Sequence, residues 1–239
     1  MNATHPDRSL RSASLVAGTA LLVLAALAVF ANFGVLGGLV TPGDATATAD
    51  AIASSERLFR WGVASLYLVA VLDVVVAVAL RVVFAAASPA ISTLAAGFRV
   101  AYAVVFVVAI SHLAAVLPLS GDAERTLAQI EAFQNMWGAS YVFFGIHLVL
   151  TGYLAYRSGF MSRIVGVLVA VAGLGYLADT FGAVLVPGYS VTVSAVTFVG
   201  EVALMLWLLI KGPRLTVGGA AVSTAGATSV PAWSVRRPG

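Results

Sequence analysis

Residues 13–40 read ASLVAGTALLVLAALAVFANFGVLGGLV, a run that holds no charged side chain and only Ser14, Thr19 and Asn32 as polar groups. A helix of a soluble domain keeps a charged or polar face for water. This one has none, and its length exceeds the roughly 20 residues needed to cross about 30 Å of hydrocarbon. Arg8 and Arg11 precede it and Ala26-Leu27-Ala28 resembles a cleavage site. The run nevertheless continues to Val40, longer than the apolar region of a secretory signal, and favours a retained membrane helix.

The same reading extends along the chain. Further apolar stretches run from about Leu58 to Phe84, Ile91 to Leu117, Met136 to Tyr156, Ile164 to Val186 and Val191 to Ile210. The expected fold class is therefore all-α, a polytopic transmembrane bundle of six helices. Composition agrees: of 239 residues, 61% are hydrophobic and 10% charged, whereas soluble domains run near 45–50% apolar and about 25% charged. Disulfides, thiolate metal sites and cysteine nucleophiles are excluded, because the chain has no cysteine.

Orientation is read from the arginines and the single lysine. With the N-terminus inside, nine basic residues (Arg8, Arg11, Arg81, Arg157, Arg163, Lys211, Arg214, Arg236 and Arg237) face the cytoplasm, against three outside (Arg57, Arg60 and Arg125). The expectation is N-in and C-in, with a cytoplasmic segment over 1–12, a membrane domain over 13–211 and a flexible cytoplasmic tail over 212–239. The scattered basic residues form no massed face, so no nucleic acid is expected as partner. The lipid bilayer is, in a bacterial cytoplasmic membrane to judge from the Ala, Val, Gly and Arg bias. Trp61 and Trp137 fall at outer helix ends, where amphipathic rings prefer to sit.

Two outer loops carry structure of their own. Asp44 to Glu56 reads as a short surface helix after the Thr41-Pro42-Gly43-Asp44 turn. Ser120-Gly121-Asp122 offers a cap for a second one, in which Leu127, Ile130 and Phe133 recur at helical spacing. That helix is expected on the membrane surface or packed by its apolar side against the bundle.

Ionisable groups inside a bilayer are costly and are paired or line a cavity. The chain has six: Asp73, Arg99, His112, His147, Asp179 and Glu201. Counting from a turn near Ala87, Asp73 and Arg99 reach similar depths on adjacent antiparallel helices, so an ion pair between them is expected. His147 lies ten residues from Arg157 and Glu201 ten from Lys211, which gives both a depth of about 15 Å. A His147–Glu201 pair would suit either a helix-holding hydrogen bond or a proton relay. His112 and Asp179 fall near outer helix ends and are expected to reach interfacial water. A cavity lined by His112, Asp179, His147 and Glu201 is the sharper alternative.

No zinc helix, phosphate-binding lysine loop or CxxC motif is present, and no serine sits in a nucleophile motif. No catalytic residue, metal site or cofactor is assigned. Three readings stand: a structural or regulatory membrane protein, a small proton-coupled transporter using His147 and Glu201 with a proton or small molecule as substrate, and an intramembrane enzyme acting on lipid. Transporters often use helices broken at mid-membrane, and Gly173-Leu174-Gly175 is the one break the sequence suggests. Oligomeric state is left open.

The stretch Gly145-Ile146-His147-Leu148, then Thr151 to Phe160, Ile164 to Leu168 and Ala172 to Asp179, resembles the bacterial integral membrane family named domain of unknown function 4386. Ile52 to Arg60 and Gly97-Phe98-Arg99 match as well, and the resemblance runs from the first helix to about Ile210. It implies a multi-helix membrane protein and brings no substrate or reaction. Ser162 stands where the family pattern has proline, which would loosen the hairpin turn. Gly145, Gly152, Gly166, Gly173 and Gly175 are small enough to let helix backbones approach closely.

Overall fold

The computed structural model describes residues 5–119 and 122–215. Helix α1 (His5–Val29) runs through a π turn (Phe30–Leu36) into the short α2 (Gly37–Leu39). Then come α3 (Ala45–Ser54), α4 (Glu56–Phe84), α5 (Pro89–Val116), α6 (Ala123–Arg157) and α7 (Arg163–Leu185), followed by α8 (Ser194–Thr197) and α9 (Val199–Ile210). No strand occurs among the described residues. Six helical segments are long and apolar enough to cross a membrane: Ser9–Leu39, Glu56–Phe84, Pro89–Val116, Ala123–Arg157, Arg163–Leu185 and Ser194–Arg214. The protein is an all-α, multi-pass membrane bundle.

The long helices close a ring in chain order. Helix α1 packs on α4, α4 on α5, α5 on α6, α6 on α7 and α7 on α9, and α9 returns to α1. Buried Phe59, Phe84, Phe106, Leu113, Leu148 and Leu208 fill its interior. Large apolar side chains such as Val71, Val78, Val104 and Leu174 point outward, as lipid-facing positions require. The α6–α7 seam is the tightest: a Cβ built on Gly152 would lie 2.5 Å from the Ala170 nitrogen, and one on Gly173 2.5 Å from the Gly145 carbonyl oxygen. Only glycine permits that approach, and backbone proximity replaces the hydrophobic drive that lipid does not supply.

Polar side chains set the helix starts. The Asp44 carboxylate accepts from Ala47 N at 2.9 Å and opens α3. Ser88 accepts from Ile91 N at 3.4 Å, with Pro89 in the first turn of α5, where its missing N–H costs nothing. Asp122 accepts from Arg125 N at 3.1 Å and opens α6. The turn from α6 to α7 uses Gly159 at φ 73°, a left-handed conformation that glycine adopts freely. Ser162 holds φ −60°, the value proline would fix, so the serine keeps the turn the family pattern implies.

Several expected boundaries move. The second surface helix does not exist as a separate element: Leu127, Ile130 and Phe133 belong to α6, which runs unbroken through residue 136. Ile130 and Phe133 are buried in the bundle, and no proline interrupts the stretch between them and the membrane helix. Gly173-Leu174-Gly175 does not break its helix, because both glycines serve close packing within a continuous α7. The local irregularities fall elsewhere, at the π turn over Phe30–Leu36 and at Phe198 between α8 and α9, where the backbone stays helical. Residues 212–214 form a 3₁₀ turn with Gly212 against Ser14, and Arg11 Nε donates to the Leu215 carbonyl at 2.7 Å. The expected tail past residue 215 lies outside the described residues.

Candidate functional site

Among the described residues, three consecutive spans carry the most deeply buried ionisable groups. Asp73 on α4, Arg99 on α5 and His147 on α6 are each no more than 2% exposed. One terminal nitrogen of Arg99 meets Asp73 Oδ1 at 2.6 Å and the other lies 3.1 Å from His147 Nε2. The guanidinium carbon sits 5.3 Å from the centre of the Phe144 ring, a cation–π contact whose value rises with desolvation. Arg99 Nε has no hydrogen-bond partner.

Hydrogen-bond logic fixes the state of the imidazole. A guanidinium only donates, so His147 Nε2 accepts from it. Nδ1 lies 2.8 Å from the Ala95 carbonyl oxygen, which only accepts, so Nδ1 carries the proton. His147 is therefore neutral, one nitrogen bound to the Arg99 side chain and the other to the α5 backbone. A buried ion pair is tolerated when extra hydrogen bonds satisfy its remaining valences, and His147 supplies one.

Glu201 belongs to a different arrangement. Its Oε1 accepts from the Tyr176 hydroxyl at 3.0 Å, and none of the described cationic groups lies within ion-pair distance of it. The expected His147–Glu201 pair does not form. Equal depth is not enough: in the ring, α7 stands between α6 and α9 and contacts both, so Tyr176 of α7 takes the carboxylate. Glu201 also lies in the first turn of α9, directly after the irregularity at Phe198. Close by, Thr197 packs against Gly175 with its hydroxyl buried and unpartnered.

An aromatic stack joins the two arrangements. Tyr176 meets Tyr141 and Phe144 edge-on at 5.0 Å each, and Phe144 lies 4.8 Å from Tyr102. Trp137 donates Nε1–H to the Tyr102 hydroxyl at 3.0 Å and packs on Phe106 and Phe133. Trp137 is thus half-buried, with part of its ring packed against the bundle core. Trp61, by contrast, is 64% exposed. Tyr176, Tyr102 and Phe144 were not among the expected polar residues; their spacing from Glu201, Trp137 and Arg99 in sequence gives no local signal.

The outer pair separates too. His112 Nδ1 donates to Gln129 Oε1 at 2.7 Å and ties α5 to the N-terminal part of α6. The Asp179 carboxylate accepts from the backbone of Val193 at 2.7 Å and Ser194 at 2.8 Å, and from the Tyr189 hydroxyl at 2.9 Å. It thereby caps α8 from outside the helix, meeting donors that a helix start leaves unpaired. The bond to Asp179 also raises the Tyr189 phenol above its usual pKa. His112, Asp179, His147 and Glu201 each bond to a different partner and do not form the shared cluster considered above. Among the described residues, no three His, Asp or Glu side chains converge as a metal site would need.

The family described as Domain of unknown function (DUF4386) matches residues 16–212 of this chain. An uncharacterized protein of the archaeon Archaeoglobus fulgidus is 35% identical over 156 residues, which span 65% of this chain and 86% of that protein. The likeness thus extends beyond bacteria. No solved structure matches the chain.

Proposed function

The chain belongs to the DUF4386 family, and we propose that it acts as a structural or regulatory membrane protein whose polar side chains lock the bundle. The observation that carries this reading is the interlocking of Asp73, Arg99 and His147 across three helices. A transport or catalytic residue needs to change partners during a cycle. Here Asp73 and Arg99 hold each other, and His147 is held by Arg99 and the Ala95 carbonyl. We place both ends on the cytoplasmic side of a cell membrane, on the strength of the arginines at that end of the ring. The membrane domain then spans 13–211, between a short inner segment over 1–12 and an inner tail over 212–239.

A second reading, proton-coupled transport, rests on Glu201 alone. Among the described residues this carboxylate has a tyrosine hydroxyl and no cation as partner, and it lies one turn from the irregularity at Phe198. His147, held by Arg99 and Ala95, has no part in it. Proteoliposomes loaded with a pH-sensitive dye separate the two. The structural reading expects equal, slow acidification with wild type and Glu201→Gln after an imposed pH gradient. Faster acidification with wild type, abolished by Glu201→Gln, would overturn it in favour of transport.

A further inference from the structure

A groove of about 490 Å³ runs along the lipid-facing flank of α5, walled by Thr93, Leu94, Phe98 and Ala101 and by Phe143 of α6, with Gly97 at its floor. It extends from Ala90 to Ala101, about 16 Å along the helix axis at 1.5 Å per residue. Its lining is apolar apart from Thr93, and it opens on the side where the bundle meets acyl chains.

The mouth of the groove is not apolar. Arg81, exposed in the last turn of α4, donates from Nε to Thr93 Oγ1 at 3.1 Å. Thr93 in turn donates to the Pro89 carbonyl at 2.8 Å. This fixes the guanidinium beside the groove and leaves its two terminal amino groups without a partner among the described residues. Among the described residues no carboxylate lies within ion-pair distance of Arg81, as is also true of Arg57, Arg157 and Arg163. A paired set of free guanidinium donors matches the oxygens of a phosphate.

We propose that the α5–α6 groove and Arg81 form a binding site for an anionic phospholipid, with one acyl chain in the groove and the headgroup phosphate on Arg81. Charge complementarity selects the anionic class, and the apolar channel behind the cation selects a lipid over a soluble anion. Gly97 makes the channel possible: a Cβ there would meet nothing within 4 Å, so the space belongs to the groove and not to a packed neighbour. A larger side chain at 97 fills the site without disturbing the bundle.

Native mass spectrometry of the full chain, released from detergent with added lipid, tests the site. Wild type should retain one phosphatidylglycerol in preference to phosphatidylcholine of the same chains. Arg81→Gln should reduce phosphatidylglycerol retention roughly fivefold, the effect of one basic residue near an anionic surface, and bring it level with phosphatidylcholine. Gly97→Leu should reduce retention of both lipids while the lipid-free melting temperature stays at the wild-type value. Equal retention of the two lipids by wild type, or unchanged retention in both variants, would overturn the proposal and leave only annular lipid.

Discussion

Arg99 donates to His147 Nε2 across the α5–α6 seam at 3.1 Å, and this one bond determines which imidazole nitrogen is protonated. With Nδ1 bound to the Ala95 carbonyl, the Nδ1–H tautomer is the only one that satisfies both neighbours. Nitrogen-15 spectra of histidine-labelled protein at neutral pH should show His147 with a bare Nε2 and a protonated Nδ1. A protonated Nε2 would show that the Arg99 contact is absent.

The same network predicts strong coupling in stability. Removing one partner of a buried pair costs about 3–5 kcal/mol, because it strands the other charge. Asp73→Ala and Arg99→Ala should each lower the detergent melt by that order. The double variant should lose far less than the sum, since no charge is then left alone. Additive losses would mean that the two residues do not interact.

The Tyr176–Glu201 bond is a milder link. Interhelical hydrogen bonds in membranes average about 0.6 kcal/mol and reach roughly 1.7. Tyr176→Phe should therefore weaken the bundle only slightly, and Glu201→Gln, which keeps an acceptor oxygen, less still. A collapse of the fold in either variant would place a heavier load on this pair than its geometry suggests.

Asp179 is predicted to hold the sixth span through its start and not through any charge partner. Asp179→Ala frees the backbone donors of Val193 and Ser194, and loss of a helix cap costs about 0.5–2 kcal/mol. Hydrogen exchange should rise locally over residues 189–197 while α4 to α6 stay protected. Exchange spread evenly over the bundle would argue for a wider role.

Orientation is open to a direct check because the chain has no cysteine of its own. Thr46→Cys and Ser162→Cys introduce single thiols at exposed positions on opposite ends of the ring. In intact cells a membrane-impermeant maleimide should label the first and spare the second. The reverse pattern would invert the topology.

How far the sequence reaches depends on what each residue is asked to specify. The six spans and the Asp73–Arg99 contact follow from hydropathy and from a short hairpin, where neighbours in the chain are neighbours in space. The partners of His147 and Glu201 do not, because depth says nothing of which helix stands between. Ile130 and Phe133 fit either a surface helix or one packed on the bundle, as found, because their spacing is the same whether they face a headgroup layer or a bundle. The irregularity at Phe198 has no proline or glycine at the residue itself. Gly173-Leu174-Gly175 reads as a hinge, yet its glycines serve contact with α6 and α8.

The ring has a consequence for how the protein is made. Each helix from α4 to α7 finds its first neighbour in the segment synthesised just before it, so most of the assembly can proceed as the ribosome delivers it. One seam cannot. Gly18 must meet Leu209, and Arg11 the Leu215 carbonyl, after nearly the whole chain has been inserted. Until then α1 and α7 have open flanks, and translation that stops short of α9 leaves an unclosed arc for the membrane's quality control to recognise.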